Sequence, residues 1–495
     1  MRRTSKKFLK IGILVIIANT VFAAFIIGQT DAQKAYEAYY LHLNDHPNDG
    51  APSWGESNRE AQGIAHDSAY WYITSTDIVS IPHFCPPCRL KNCLPCLPFT
   101  AKDCFLWKIP VGVDLDQDLG PNEQYPLDDP RHVSSIHLLG LPAIADTHMV
   151  FVDGPNDQLI QNGYTHWGDL DHYRRGQTDY LVVPATSSKL DPNLPSPVIL
   201  VFRASDLTLV GYGKLPGDSK GAQNDVGWCA VDPNGYIFSS DDNTSILYRY
   251  EVNWDAFPVT GYIGQFLVSW VETETLVDGG SGTVLTLHNM QGGEFTPSGK
   301  LLYVSCGTGQ CAFWGGDVFP NDGIHVFDVE GWREIRQSTN HDVYPFTWSS
   351  FDYHYNNDCS GDGSETAEGL TIWDLDNGRA PNICGQLHVL VAWVGAGFFD
   401  GGNRSSLEHF GRRIYVDWNN GTDPTDWTTP LPGTPSGYPV YGRPFKSLSC
   451  ALNWLPAWNG AQIVIQAGSY PETGTFKTHV RLVSQGGTAI IGKEH

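Results

Sequence analysis

Side chains able to do acid–base or metal chemistry are densest in the run His166-Trp-Gly-Asp169-Leu-Asp171-His172. On an extended strand successive side chains alternate between faces, so Asp169 and Asp171 share one face. Two carboxylates beside an imidazole offer ligands to Ca2+, Mn2+ or Zn2+, or a general base to a bound substrate. Gln291, Glu294 and Glu368 lie near the start of later repeated phrases, and Gln62, His66 and Asp67 near the start of an earlier one. Polar residues that open repeated units would converge at one mouth if the units were arranged around an axis. The same residues have a plainer use, because Asp at a turn readily accepts backbone N–H groups. Both uses stay open on sequence alone.

Two further clusters invite a metal. Asp114-Leu-Asp116-Gln-Asp118 alternates carboxylates as calcium loops do. It is not an EF-hand, since Leu119 holds the glycine position and Tyr125 that of the bidentate acid. A solvated acidic loop is the alternative. Of eleven cysteines, Cys85, Cys88, Cys93, Cys96 and Cys104 crowd together. Paired C-x2-C turns suit tetrahedral zinc, whereas an oxidising compartment favours a disulfide-stapled loop, which is the stronger expectation. Among cofactors, calcium is therefore expected ahead of zinc. Eleven is odd, so at least one thiol stands outside any intrachain pair. The nucleophile elbow G-x-S-x-G, H-E-x-x-H, the P-loop and a strand-linked G-x-G-x-x-G are all missing from the sequence. That weakens the case for an enzyme without closing it.

The elements that would position these residues show as a repeated phrase: a residue, then Gly, a few mixed residues, a turn, and a β-rich run. It reads Gln62-Gly63 through Tyr70-Trp-Tyr-Ile, Trp167-Gly168 through Tyr180-Leu-Val-Val, and Val226-Gly227 through Tyr236-Ile-Phe. It returns as Gln291-Gly292 through Tyr303-Val-Ser and, more loosely, Glu368-Gly369 through Leu387-His-Val-Leu-Val. Apolar or alternating strands follow, such as Val198-Ile-Leu-Val-Phe202 and Ile324-His-Val-Phe-Asp-Val329. Strand, Gly-containing turn, strand is the grammar of antiparallel meanders. One meander per about 60–80 residues predicts a β-propeller over residues 50–410, of five to seven blades, with a Cys-rich insertion at 85–104. The stretch from Gly140 to Val152 would be part of another blade. The style is similar to the quinoprotein-like and YVTN-like propellers, a resemblance that implies a fold and no activity.

Composition agrees with an all-β chain. Charged residues make up 17%, against 52 Gly, 32 Pro, 16 Trp, 22 Tyr and 22 Phe, which excludes disorder and coiled coil. The formal charge of −23 repels phosphate backbones, so nucleic acid is an improbable partner. Arg2, Arg3, Lys6, Lys7 and Lys10 precede an apolar run from Ile11 to Gly28, with Val21-Phe22-Ala23 as a small-x-small cleavage site. Residues 1–34 thus read as a signal peptide, or as a membrane anchor if uncleaved, and the protein as secreted or held at the cell surface.

Residues 413–495 change pattern. Ile414-Tyr-Val-Asp417, Asn420-Gly-Thr-Asp423, Arg443-Pro-Phe-Lys446, Ile463-Val-Ile465, Ala467-Gly-Ser-Tyr470-Pro-Glu472 and Ile490-Ile-Gly492 follow in order. This resembles the cap that opens right-handed parallel β-helix domains of the pectin-lyase-like class. The resemblance implies a truncated solenoid start, since about three stacked repeats are needed for a stable core. The family's catalytic carboxylates lie in later coils, and none carries over. Such a cap would dock on the propeller or stack on another chain.

The expectation from sequence is an exported, non-catalytic recognition protein that binds a carbohydrate or a surface protein through its propeller. Its rivals are a metal-dependent hydrolase or lyase at the propeller mouth, and a structural surface module that self-associates through the β-helix end.

Overall fold

A computed structural model describes residues 41–46, 59–81, 99–113, 115, 134–140, 148–151, 160–161, 164–187, 197–215, 223–257, 268–307, 323–338, 364–376, 379–381, 383, 385–394, 404–411, 413–419, 421, 445–449, 451, 462–472 and 481–492. Strand β1 (Leu41–His46) comes first and is used last. The first blade follows as β2 (Arg59–His66), β3 (Tyr70–Ile81), β4 (Phe99–Pro110), β5 (Ser134–Gly140), β6 (His148–Phe151) and β7 (Ile160–Gln161). The second holds β8 (Tyr164–Trp167), β9 (Asp171–Arg175), β10 (Thr178–Ser187), β11 (Val198–Arg203) and β12 (Thr208–Lys214). The third is β13 (Ala230–Val231), β14 (Ile237–Ser239), β15 (Ile246–Val252) and β16 (Val268–Thr275). The fourth is β17 (Met290–Phe295), β18 (Leu301–Cys306), β19 (Gly323–Asp328) and β20 (Arg333–Ser338). The fifth is β21 (Ser364–Ile372), β22 (Leu387–Val394) and β23 (Arg404–Gly411), completed on its outer edge by β1.

Five antiparallel sheets of this kind make a five-bladed β-propeller. Burial on both faces explains why the middle strands are apolar throughout instead of alternating. In β11, Val198, Leu200 and Phe202 enter the core shared with the first blade, while Ile199 and Val201 enter the core shared with the third. In β18, Leu301 and Tyr303 face the fifth blade, and Leu302, Val304 and Cys306 face the third. Outer strands need only one buried face, and β16 accordingly leaves Trp270 in solvent.

The glycine of each repeated phrase lies where the inner strands meet. A Cβ on Gly63 would overlap the Asp169 Cα, and one on Gly168 would overlap the Gly227 carbonyl. A Cβ on Gly227 would approach the Met290 oxygen to 2.9 Å, one on Gly292 the Glu368 oxygen to 2.6 Å, and one on Gly369 the Gly63 Cα to 2.7 Å. These contacts run through all five blades and return to the first. None of the five glycines has a positive φ, so the requirement is for room and not for backbone conformation.

Two expectations are revised. The Gly140 stretch does not open another blade: β5 pairs with β4 and β6 with β5, so both widen the first sheet. Cys104, expected in a surface Cys-rich staple, is buried in the apolar core with Tyr72 and Leu106. Among the described residues no disulfide is formed. Cys85, Cys88, Cys93 and Cys96, and likewise Asp114, Asp116 and Asp118, lie outside the described residues. After the propeller, β24 (Arg413–Val416), β25 (Gln462–Tyr470) and β26 (Arg481–Ile491) form a separate parallel sheet, with Ile414, Ile463 and Leu482 in register.

Replacing Gly63 by alanine should lower the unfolding free energy by about 1–3 kcal/mol or more, as overpacking does. Gly112→Ala, whose added Cβ would have its nearest neighbour at 4.0 Å, should stay within about 0.5 kcal/mol in the same urea titration.

Candidate functional site

Asp169 follows the ring glycine of the second blade and is fully buried on the axis. Its Oδ1 accepts the Ile64 N–H at 2.8 Å from the first blade. Its Oδ2 accepts the Gly293 N–H at 3.0 Å from the fourth blade and the Leu370 N–H at 3.4 Å from the fifth. The Asp169 backbone donates to the Gly227 oxygen at 2.9 Å and accepts from the Cys229 N–H at 3.1 Å, which reaches the third blade. One residue thus binds backbone from every other blade. Burial pushes its carboxyl well above the usual range, and the three N–H donors partly offset that.

Beyond the ring, where the inner strands finish, a second group gathers. Asp171 is buried, and its oxygens accept the His172 and Val231 N–H groups, each at 2.6 Å. Glu294, half-buried, accepts the Ile372 N–H on Oε2 at 3.0 Å. Burial raises Asp171 to about 7, and burial together with the Asp171 charge raises Glu294 well above its ordinary value. The charge on either carboxyl disfavours ionisation of the other, so the pair holds its protons to higher pH than isolated carboxyls do.

Histidines flank this pair. His66 lies parallel to Trp373 with ring centroids 4.6 Å apart, and its Nδ1 and Nε2 each face a backbone oxygen at 3.0 Å, those of Asp67 and Ile372. Burial lowers it to about 4, so the ring is neutral and donates to one of those oxygens at a time. His172 donates Nε2–H to Asp179 at 3.0 Å, which leaves Nδ1 as an acceptor; burial lowers its pKa, and Asp179 opposes that.

The six residues expected at one mouth therefore divide three ways. Asp169 fills the axis. Asp171 and Glu294 come together where the inner strands finish. His166, Gln291 and Glu368 precede their ring glycines and lie toward the opposite end, with Gln291 Nε2 donating to Asn289 Oδ1 at 2.8 Å and Glu368 buried. Among the described residues, no group of three or more His, Cys, Asp or Glu side chains is disposed to hold a metal ion. Chemistry explains this for the axis: Asp169 already spends both oxygens on backbone donors. The stacking of Trp373 on His66 had no linear signal, because the two residues meet only through the closure of the fifth blade on the first.

No family model matches the sequence, and no curated protein matches it. Among solved structures the chain is similar to a protein of unknown function from Bacteroides caccae (10% identity, 53% of this chain and 68% of that one, TM-score 0.26). It is also similar to a GH130 protein from work on glycoside hydrolases that target β-1,2 mannosidic linkages in Candida mannan (10% identity, 74% and 94%, TM-score 0.33). A third is the GH43_1 enzyme from Xanthomonas citri complexed with xylotriose (10% identity, 76% and 91%, TM-score 0.31). Scores this low transfer no activity, and the propeller assignment rests on the chain's own sheets.

Truncating Asp169 to alanine leaves three buried N–H groups without an acceptor and should cost at least about 3 kcal/mol in urea unfolding. The Asp171 proton has a defined sign. With its pKa raised from 3.8 to about 7, its stabilisation is full below pH 3.8 and is lost as pH rises through about 7. Asp171→Asn should remove that slope, seen as a wild-type minus variant stability difference that shrinks as the pH of the unfolding buffer is raised.

Proposed function

We propose that the chain is an exported recognition protein that binds an uncharged carbohydrate where the inner strands of its five-bladed propeller finish. The carrying observation is the carboxyl pair of Asp171 and Glu294, held by the His172, Val231 and Ile372 N–H groups, with His66 against the Ile372 oxygen. Such a surface offers the half-buried Glu294 carboxyl and the His172 Nδ1 acceptor in place of a block of like charges. Sugar hydroxyls both donate and accept, and neutral groups of this kind match them. An anionic ligand would meet the chain's −23 charge. Export is supported by the basic residues at 2–10 and the apolar run after them.

A hydrolytic reading is favoured by one feature, an Asp171 carboxyl raised to about 7 by burial, as general acid–base chemistry requires. Against it, Asp171 has both oxygens taken by backbone donors. The parallel sheet β24–β26 supports a third element of the proposal, that residues 413–495 begin a parallel β-helix. Its outermost strand β26 leaves Leu482, Ile490 and Ile491 exposed, as a coil awaiting a neighbour would.

Glycan-array binding by the full chain should select neutral over anionic oligosaccharides. Glu294→Ala should weaken that binding at least about tenfold, or about 1.4 kcal/mol. Preference for anionic glycans, or no glycan bound at all, would sink the recognition reading. Product formation that stops in Glu294→Gln would replace it with the hydrolytic one.

A further inference from the structure

In the fourth blade a thiol, an imidazole and a carboxylate come together from three adjacent strands. Cys306 ends β18, His325 lies on β19, and Glu334 on β20. His325 Nδ1 is 2.6 Å from Glu334 Oε1, and the ring is also hydrogen-bonded to the Cys306 thiol, for which Nε2 remains. Glu334 is held in turn by its backbone N–H, which donates to the Val277 oxygen at 2.8 Å. Cys306 and His325 are wholly buried, and Glu334 is 7% exposed. A nucleophile, a base bonded to it, and an acid that orients the base form the arrangement that activates thiols elsewhere in protein chemistry.

We propose that Cys306 is a thiolate maintained by His325 and Glu334, and that it is an oxidation site for a small peroxide. Burial sets the class of electrophile: a peptide or a bulky alkylating agent has no approach to wholly buried sulfur, whereas hydrogen peroxide is close to water in size. The sulfur attacks one peroxide oxygen, an S–O bond forms and the O–O bond breaks. Cys306 goes from thiolate to sulfenic acid with loss of two electrons, and peroxide is reduced to hydroxide. The His325 imidazolium proton converts that hydroxide to water and leaves a neutral imidazole. Burial alone would lower the His325 pKa, but the Cys306 and Glu334 partners raise it to about 10, which suits a retained imidazolium. Cys229 is the internal contrast, also wholly buried, its thiol bonded to the Val182 oxygen at 3.3 Å and pushed well above the ordinary range by burial.

The test uses the full chain, reduced and then exposed to dilute hydrogen peroxide, each time point being quenched into denaturant containing dimedone so that sulfenic acid is trapped in the unfolded chain and located by peptide mass spectrometry. Cys306 should be trapped at least about tenfold faster than Cys229, and its rate should be flat between about pH 6 and pH 8, because a thiolate is already formed. Glu334→Gln should restore a rate that climbs about tenfold per pH unit, the behaviour of an ordinary thiol. Should that variant fail to fold, the wild-type pH profile decides alone. A wild-type rate that climbs with pH, or trapping no faster than at Cys229, would overturn the proposal.

Discussion

The propeller depends on a single carboxylate held by main-chain donors on its axis. Blades in such a fold meet at inner strands whose ends cannot all satisfy their backbone groups within their own sheets. Asp169 supplies acceptors to the first, fourth and fifth blades with its side chain and hydrogen-bonds the third with its backbone. Burying an acidic group is costly unless it is fully hydrogen-bonded, and here the bonds arrive from elements far apart in sequence. The ring glycines follow from the same demand, since side chains at those positions would hold the inner strands too far apart for one carboxylate to span them.

That closure determines what chemistry remains. Occupation of the axis removes it as a passage, and the ionisable groups past it are buried enough to lose their charges. A chain with formal charge −23 thus has, past Asp169, two carboxyls whose pKa values are raised and two imidazoles whose pKa values are lowered by burial. Net charge describes the outside of this protein and says little about its centre.

Much of this was legible from the order of residues. The five Gly-containing phrases mark the five inner strands, and their glycines are the residues that meet around the axis. What was not legible was the fate of Asp169: ligand and backbone acceptor use the same residue type, and the choice is made by three N–H groups contributed by other blades. Cys306, His325 and Glu334 escape notice for a related reason, because cross-strand neighbours leave no fixed spacing. The width of the first sheet was hidden as well, since β5 to β7 look in sequence like the start of a new unit and join an existing one only by pairing with β4.

The pairing of β1 with β23 places residue 41 opposite residue 411. Strand β1, made first, therefore has no partner strand until β23, near the end of the propeller sequence, has been made. Contacts between such distant segments slow folding, because the entropy of closing the loop is lost before the pairing compensates for it. A ribosome-bound chain would hold four blades and an open edge, with Asp169 still lacking the Leu370 donor. Completion of this protein is thus a late, all-or-none event, timed by the arrival of its last blade.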